Sequence, residues 1–600
     1  MKIGKLVLSM APVVCVFLSG CSAKKGDAQS LKQDTILVES SNFSPGFNMT
    51  AKGDSSNMLQ FVLEDRGKIP FNQSVVKQTT EQSFYGPSAN IPYFTVRFAI
   101  PIPPAYTETE TAALAGIDEG GYTHSHSPGF EILPNGDALA VYFSAPVGKS
   151  ENDTATTFVQ ARLRYGSEDW DMPELFFYTH GGNDQSGLLW NDNGKIWFFG
   201  GGRYISDYVP FRIATSTDNG ASWTFSIPQL DSIATNYTAQ PIVNAFRDPS
   251  GAIYMAMDGK DSRSFLWRST DEGKTWHDMG GRTGGRHSTI VPLDDKGTLL
   301  SIGGKNANVD GWSPQNISHD WGATWSESVA SPFPPLGSVQ RPCLIKLASG
   351  NLLFVSDSYM HKKKIAPPTG WKYGNDAFVA ISKDNGKTWR IKTLPVQLPQ
   401  RHRPPYGSLG YSTVRQAPNG VIHLLTTAGY PPIHYEFNEA WVWSDAADVT
   451  PESSGGEVKN FSEKYSDGKL KSTWSARICP NGRYLLHGEL IDYYPDGSKQ
   501  HQALYENGRK TGQETYWSKY GDIEWMWQRD LKKKQGIWTQ YWPNGNKKVE
   551  SVWNIKPEAR DLKREFNGYV ADGPSKHWDE NGNLVETYQF KNGILVEDKK

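Results

Sequence analysis

Four cysteines in 600 residues are too few for a disulfide scaffold, and none has a partner at metal-ligand spacing, so no zinc cluster is expected. Charge of one sign is also lacking. Lys plus Arg (62) nearly balances Asp plus Glu (64), the net charge is -2, and no nucleic-acid partner is expected from such a field. Beyond the first twenty residues no apolar run is long enough to span a bilayer. Nothing calls for a cofactor. What the chain does have is 12% aromatics and 58 glycines, the composition of many short strands joined by tight turns or of a sugar-stacking surface. At this length two to four domains are expected, and a helical bundle is not.

Residues 1–20 carry Lys2 and Lys5, then an apolar stretch through Val13 and Phe17 to Leu18, the pattern of an export signal. It ends in Leu18-Ser19-Gly20-Cys21, which resembles the bacterial lipobox. The resemblance implies cleavage before Cys21, lipid on its thiol, and, with Ser22 following, the outer membrane of a Gram-negative cell. Cys15 leaves with the signal, so Cys343 and Cys479 are expected as two unpaired structural thiols.

An octapeptide recurs four times: Ser216 to Trp223, Ser269 to Trp276, Ser318 to Trp325 and Ser382 to Trp389, each Ser-x-Asp-x-Gly-x-(Ser/Thr)-Trp. The residues are those of a locked hairpin turn, with Asp bonding backbone N–H groups, Gly allowing positive φ and Trp tucked beneath. Arg164 to Trp170 reads as a decayed copy. The octapeptide resembles the Asp box, or BNR repeat, of the sialidase superfamily, which implies a β-propeller.

A second period counts the blades. Six apolar runs end in turns at Gly136, Gly194, Gly251, Gly297, Gly350 and Gly420, and nine to eleven positions earlier stand His126, Gln185, Gln240, His287, Arg341 and Tyr411. Six runs predict six blades over residues 91–450, with the six side chains converging at one mouth of the channel. Residues 21–90 are expected to form a tether with a strand or two, one of them closing the ring. After a Pro-Glu-Ser-Ser-Gly-Gly linker, residues 457–600 repeat Gly-x4-aromatic-x3-Gly, as in Gly488, Tyr493 and Gly497 or Gly573, Trp578 and Gly582. This resembles the MORN repeat and predicts hairpins stacked edge to edge over a core of aromatics, serving as a spacer or as a dock for a protein partner. The fold class is therefore all-β, a six-bladed propeller followed by a hairpin-repeat domain.

The resemblance to sialidases implies three carboxylate-binding arginines, a tyrosine nucleophile with a glutamate, and an aspartate acid. The match is incomplete. His126 stands where the first arginine belongs; Arg341 takes the glutamate position and Asp357, sixteen residues on, the second arginine's, an exchange of charges that would also suit an ion pair. Tyr411 keeps the tyrosine position, Arg415 is among four nearby candidates for the third arginine (with Arg390, Arg401 and Arg403), and Asp153 lies in the acid's region. Tyr411, His126, His287 and Arg341 are thus the predicted catalytic set, with Gln185, Gln240, His124, Arg415, Asp357 and Asp153 as substrate-binding candidates. His124-x-His126 with His180 is too sparse to predict a metal. Arginine beside tyrosine and histidine suits β-elimination on a uronic acid: a neutralised carboxylate acidifies the neighbouring C–H and Tyr or His takes its proton. The expected ligand is an acidic oligo- or polysaccharide. A sialidase-type hydrolase and a non-catalytic glycan binder are the alternatives.

Overall fold

The computed structural model describes residues 75–596 except 103–111, 118–125, 180–181, 204–210, 231–236, 260, 306, 338–340, 358–367, 374–376, 396–409, 428–431, 447–453 and 556–567, and upstream of these only the backbone of strands Lys52–Gly53 and Met58–Phe61. Cys21, His124, His180, Arg401 and Arg403 lie outside the described residues.

Alternation of apolar and small residues makes short strands that can be buried on both faces, and these assemble into six antiparallel sheets. Blade one is His126–Ile132, Ala138–Ser144, Thr157–Leu163 and Glu174–Phe177. Blades two to five open with Asn183–Asp192, Tyr237–Arg247, Thr289–Pro292 and Cys343–Lys346. Blade six has Thr413–Gln416, Ile422–Thr426 and Ile433–Phe437, and takes its outermost strand from Phe94–Phe98, paired antiparallel from Ile433↔Phe98 to Phe437↔Phe94. The ring is thus closed by a strand that follows residues 21–90 and not, as the sequence suggested, by one within them. The first strand of each blade touches that of the next, and the sixth touches the first. Met58–Phe61 widens blade two at its outer edge.

The four octapeptides are locked as the sequence predicts. In the first, Asp218 Oδ1 accepts from Ser222 N at 2.9 Å, while Gly220 N donates to Ser216 Oγ at 2.9 Å. Asn219 and Gly220 both have positive φ (56° and 74°), a pair that only a short polar residue followed by glycine adopts cheaply. Each box glycine packs on the preceding blade: Gly220 on Leu139, Gly273 on Trp197, Gly322 on Leu266, Gly386 on Leu300. The boxes thus seal four of the six seams between blades. The decayed copy in blade one occupies the equivalent turn, but Gly166 O accepts from Leu486 N at 2.8 Å and Glu168 N donates to Gly508 O at 2.8 Å, both in the carboxy-terminal domain.

That domain is one sheet of eleven antiparallel strands from Glu457–Lys464 to Ile594–Leu595. The motif aromatics Tyr493, Trp517, Tyr541 and Trp578 are only half-buried. This corrects the expectation that they form the core: they stand beside hairpin turns, and the fully buried rings are Trp525, Trp527, Trp538 and Trp553, which alternate onto the inner face. Cys343 and Cys479 are buried and form no disulfide with one another.

Where blades one and six meet the repeat domain, the buried Arg97 guanidinium pairs with Glu436 at 2.5 Å and Glu168 at 3.1 Å. Arg97→Ala would take its arginine from the buried Glu436 and leave Glu168 to Arg483, and is expected to lower stability by about 3–5 kcal/mol in chemical denaturation.

Candidate functional site

Four of the six predicted mouth residues, His126, His287, Arg341 and Tyr411, lie at or just before the start of the first strand of their blade, where the chain enters the channel; Gln185 and Gln240 lie within their long first strands. The backbone kinks at His287 and just after His126 and Gln185: Ser127, Ser186 and His287 have φ of 49°, 56° and 57°. For non-glycine residues this costs about 1 kcal/mol or more, a strain held by the surrounding strands. Blades five and six are stitched by a short parallel bridge, Arg341 N donating to Gly410 O at 2.9 Å and Ser412 N to Arg341 O at 3.1 Å. Arg341 and Tyr411 become neighbours by that bridge.

The Tyr411 phenol oxygen lies 3.1 Å from His287 Nε2 and accepts from Lys305 Nζ at 3.0 Å. Behind the imidazole, Asp258 Oδ2 contacts His287 Nδ1, and Asp258 Oδ1 accepts from His287 N at 2.8 Å and Ser264 Oγ at 2.7 Å. With Asp258 taking the Nδ1 proton, Nε2 presents its lone pair to the phenol O–H. Arg341 lies under the ring, 5.2 Å from its centroid, and His126 packs on the ring at 4.4 Å. The Arg341 guanidinium donates to Ser127 Oγ and Pro128 O at 3.1 Å each. Among the described residues no carboxylate pairs with it, so the ion pair with Asp357 does not form. Arg286, 23% exposed, reaches Gln240 Oε1 and stands 3.5 Å from Asp258.

Burial dominates the proton affinities. It holds His287 down to about 4 despite Asp258, and pushes Tyr411 up to about 12 against the pull of Arg341 and Arg286. Burial, then Arg286, brings Lys305 to about 8, and burial brings Arg341 to about 10. At neutral pH the site therefore holds a neutral imidazole, a neutral phenol and three cations against the Asp258 carboxylate, with the charge of Glu151 also felt by Lys305 and Tyr411, a balance that still favours an anion.

The structure thus brings His126, His287, Arg341 and Tyr411 together, with Gln240 reached through Arg286. Gln185 instead donates to Glu151 O at 2.6 Å. Arg415 crosses the channel to Glu131 at 2.8 Å and to the carbonyls of Leu189 and Val243, so it ties blade six to blades one, two and three. The Asp153 carboxylate caps its own loop at Ala155 N and faces Lys149 at 3.5 Å. Asp357 is buried at the end of its strand, and Arg390 holds Asp445 on the flank of the ring. Asp258, Lys305 and Arg286 were not singled out by sequence. Asp258 and Lys305 lie near the ends of the second strands of blades three and four (Ile253–Gly259 and Leu299–Ile302), which an antiparallel return brings beside the starts of the first strands. The signal was a charged residue closing an apolar run.

Residues 136–424 match the family of BNR repeat-like domains, and residues 486–507, 534–554 and 571–592 match a MORN repeat variant. The chain is a six-bladed propeller with a region similar to BNR repeat-like domains, followed by a sheet with three segments similar to a MORN repeat variant. It is similar to a sialidase of Micromonospora viridifaciens, 23% identical over 407 residues covering 58% of this chain and 57% of that protein. The chain therefore spans little more than half the length of that curated relative. Among solved structures the chain is similar to a Dyadobacter fermentans protein of unknown function (16% identity, 57% of this chain and 99% of that one, TM-score 0.41). It is also similar to Trypanosoma rangeli sialidase (12% identity, 85% and 92%, TM-score 0.38). The BNR match takes in five of the six mouth residues, while His126 lies just before it.

Proposed function

We propose that this BNR propeller is a carbohydrate-active enzyme of acidic glycans that cleaves by β-elimination, with Tyr411 as the group that takes the proton. The observation that carries this reading is the placement of the phenol between the lone pair of His287 and the ammonium of Lys305, with Arg341 beneath the ring. A uronate carboxylate would meet the partly exposed Arg286, whose charge acidifies the C–H next to it. Tyr411 takes that proton as its own passes to His287, and the imidazolium is stabilised by Asp258. The C–H electron pair becomes the new C=C bond, the C–O bond beyond it breaks, and His126 or Lys305 gives a proton to the departing oxygen. A bound anion beside His287 raises the proton affinity of the imidazole above its value in the free site.

The test is absorbance of unsaturated uronate when the purified chain meets a panel of acidic polysaccharides; silence across the panel counts against the reading. The pH dependence follows from the two shifted groups. His287 must be neutral and is protonated below about 4, while Lys305 must be charged and loses its proton above about 8. The expected kcat/KM profile is therefore a bell with limbs near about 4 and about 8, rather than an acid limb at the ordinary imidazole value of about 6.5.

Sialidase-type hydrolysis is the second reading, favoured by the same Asp258–His287–Tyr411 chain, which would equally activate the phenol as a nucleophile. The proposal includes the anchor. Lipid on Cys21 would hold the enzyme at the outer membrane; Cys21→Ser is expected to move the protein from the membrane to the soluble fraction on cell fractionation.

A further inference from the structure

The six seams of the propeller are not sealed alike. Four carry an Asp box packed on the preceding blade. Between blades five and six the short helix Glu439–Trp443 takes that place, its carbonyls held by Lys392 Nζ (Trp441 O, 2.6 Å) and Arg390 Nε (Val442 O, 3.1 Å). At the remaining seam, between six and one, the box has decayed and the MORN sheet lies over the turn instead. This is also where the chain passes from the closing strand Phe94–Phe98 to the first strand of blade one.

We infer that the MORN domain is a fixed clasp on this seam, and that its grip holds His126 in register with Tyr411. The grip is made of backbone as well as side chains. The carbonyls of Leu114, Ala115 and Gly116, on the path to His126, accept from Ser575 Oγ at 2.9 Å, Ser551 Oγ at 2.6 Å and Trp538 Nε1 at 2.9 Å. A Cβ on Gly116, whose φ is +82°, would lie 2.4 Å from Val549, so the segment fits flush against the sheet. Ile100, Ala115 and Ile117 share one apolar core with Trp525, Trp527 and Trp538. At the rim, Arg483 of the sheet holds the second oxygen of Glu168 at 2.6 Å, while Arg97 joins that carboxylate to Glu436 of blade six. At the mouth end of the same seam, Pro128 O accepts from Arg341 NH2 and from Thr413 Oγ1 (2.9 Å), and His126 packs on Tyr411. The seam is therefore held at both ends, by the MORN sheet at the rim and by His126 on Tyr411 at the mouth. A large part of the face that the sequence offers to a protein partner is taken by the propeller of the same chain.

Hydrogen exchange on the full-length protein tests this without any substrate. Arg483→Ala and the double variant Ser551→Ala/Ser575→Ala are expected to speed amide exchange about tenfold or more in His126–Ile132 and in residues 411–416. Exchange in Ile253–Gly259 and Leu299–Ile302, on the far side of the ring, should stay unchanged. Seam exchange equal to wild type, or a rise of equal size in every blade, would overturn the clasp. Trp538→Phe keeps the packing and removes only the bond to Gly116, so it reports the same contrast if the other variants fail to fold. The kinetic consequence rests on the elimination reading: Trp538→Phe should lower kcat with KM little changed, and unchanged kcat beside loosened seam amides would refute the positioning role. Because exchange is read without substrate, failure of the chemistry and failure of the clasp are separate results.

Discussion

Tyr411→Phe is expected to lower turnover of an acidic polysaccharide by about 10³-fold while leaving the protein folded. The ring space is kept, so the packing of His126 and the Arg341 guanidinium against it survives. What is lost is the oxygen at which His287 and Lys305 meet, and no other described hydroxyl bonds to both. Stability should fall little, since Lys305 stays beside Asp258 and His287 keeps its Nδ1 contact to the same carboxylate. Tyr435→Phe is the control. Its hydroxyl is buried without a hydrogen-bond partner among the described residues, so removing it should leave both activity and melting temperature nearly as they were or raise the latter slightly. Initial rates and a thermal melt of the two variants separate a lost reacting group from a damaged fold.

Asp258→Asn is the second large effect, expected at about 10²–10⁴-fold in kcat. The carboxylate accepts from His287 N and Ser264 Oγ and faces Nδ1, and in doing so it fixes which imidazole nitrogen carries the proton. An amide there can offer its own N–H to Nδ1, which turns Nε2 into a donor pointing at the phenol and blocks the proton's exit. The sign of the pH effect is also set. Asp258 raises the proton affinity of His287 against the larger effect of burial, so its removal moves the acid limb below about 4, not toward neutrality. A variant with an acid limb shifted upward would contradict this role. Since Asp258 is fully buried, a loss of about 1–3 kcal/mol in stability is expected alongside and is read separately by denaturation.

The fold was legible because a propeller writes its architecture as repeats: four boxes and six apolar runs count the blades without reference to any long-range contact. Half of the site was legible for the same reason. A side chain at the start of a first strand faces the mouth in every blade, and His126, His287, Arg341 and Tyr411 obey that rule. Asp258 and Lys305 escaped because they reach the mouth from the opposite chain direction, at the ends of second strands. Their position in sequence marks a different place in the blade. Arg415 illustrates the converse. It follows Tyr411 by a few residues, yet lies far enough down the channel that its guanidinium meets Glu131 and the carbonyls of two other blades rather than the phenol. The seam clasp could not be read at all, since it joins residues 112–117 and 166–168 to strands beyond residue 480, and the decayed box gives only the place where something else must fill in.

The central claim is that the phenol of Tyr411 removes a proton from carbon and water takes no part in bond cleavage. Digesting an acidic oligosaccharide in ¹⁸O-labelled water and weighing the fragments reads this in one step. The account predicts products free of the heavy isotope whose masses sum to that of the starting sugar; fragments that together have gained one labelled water would mean hydrolysis and would contradict it.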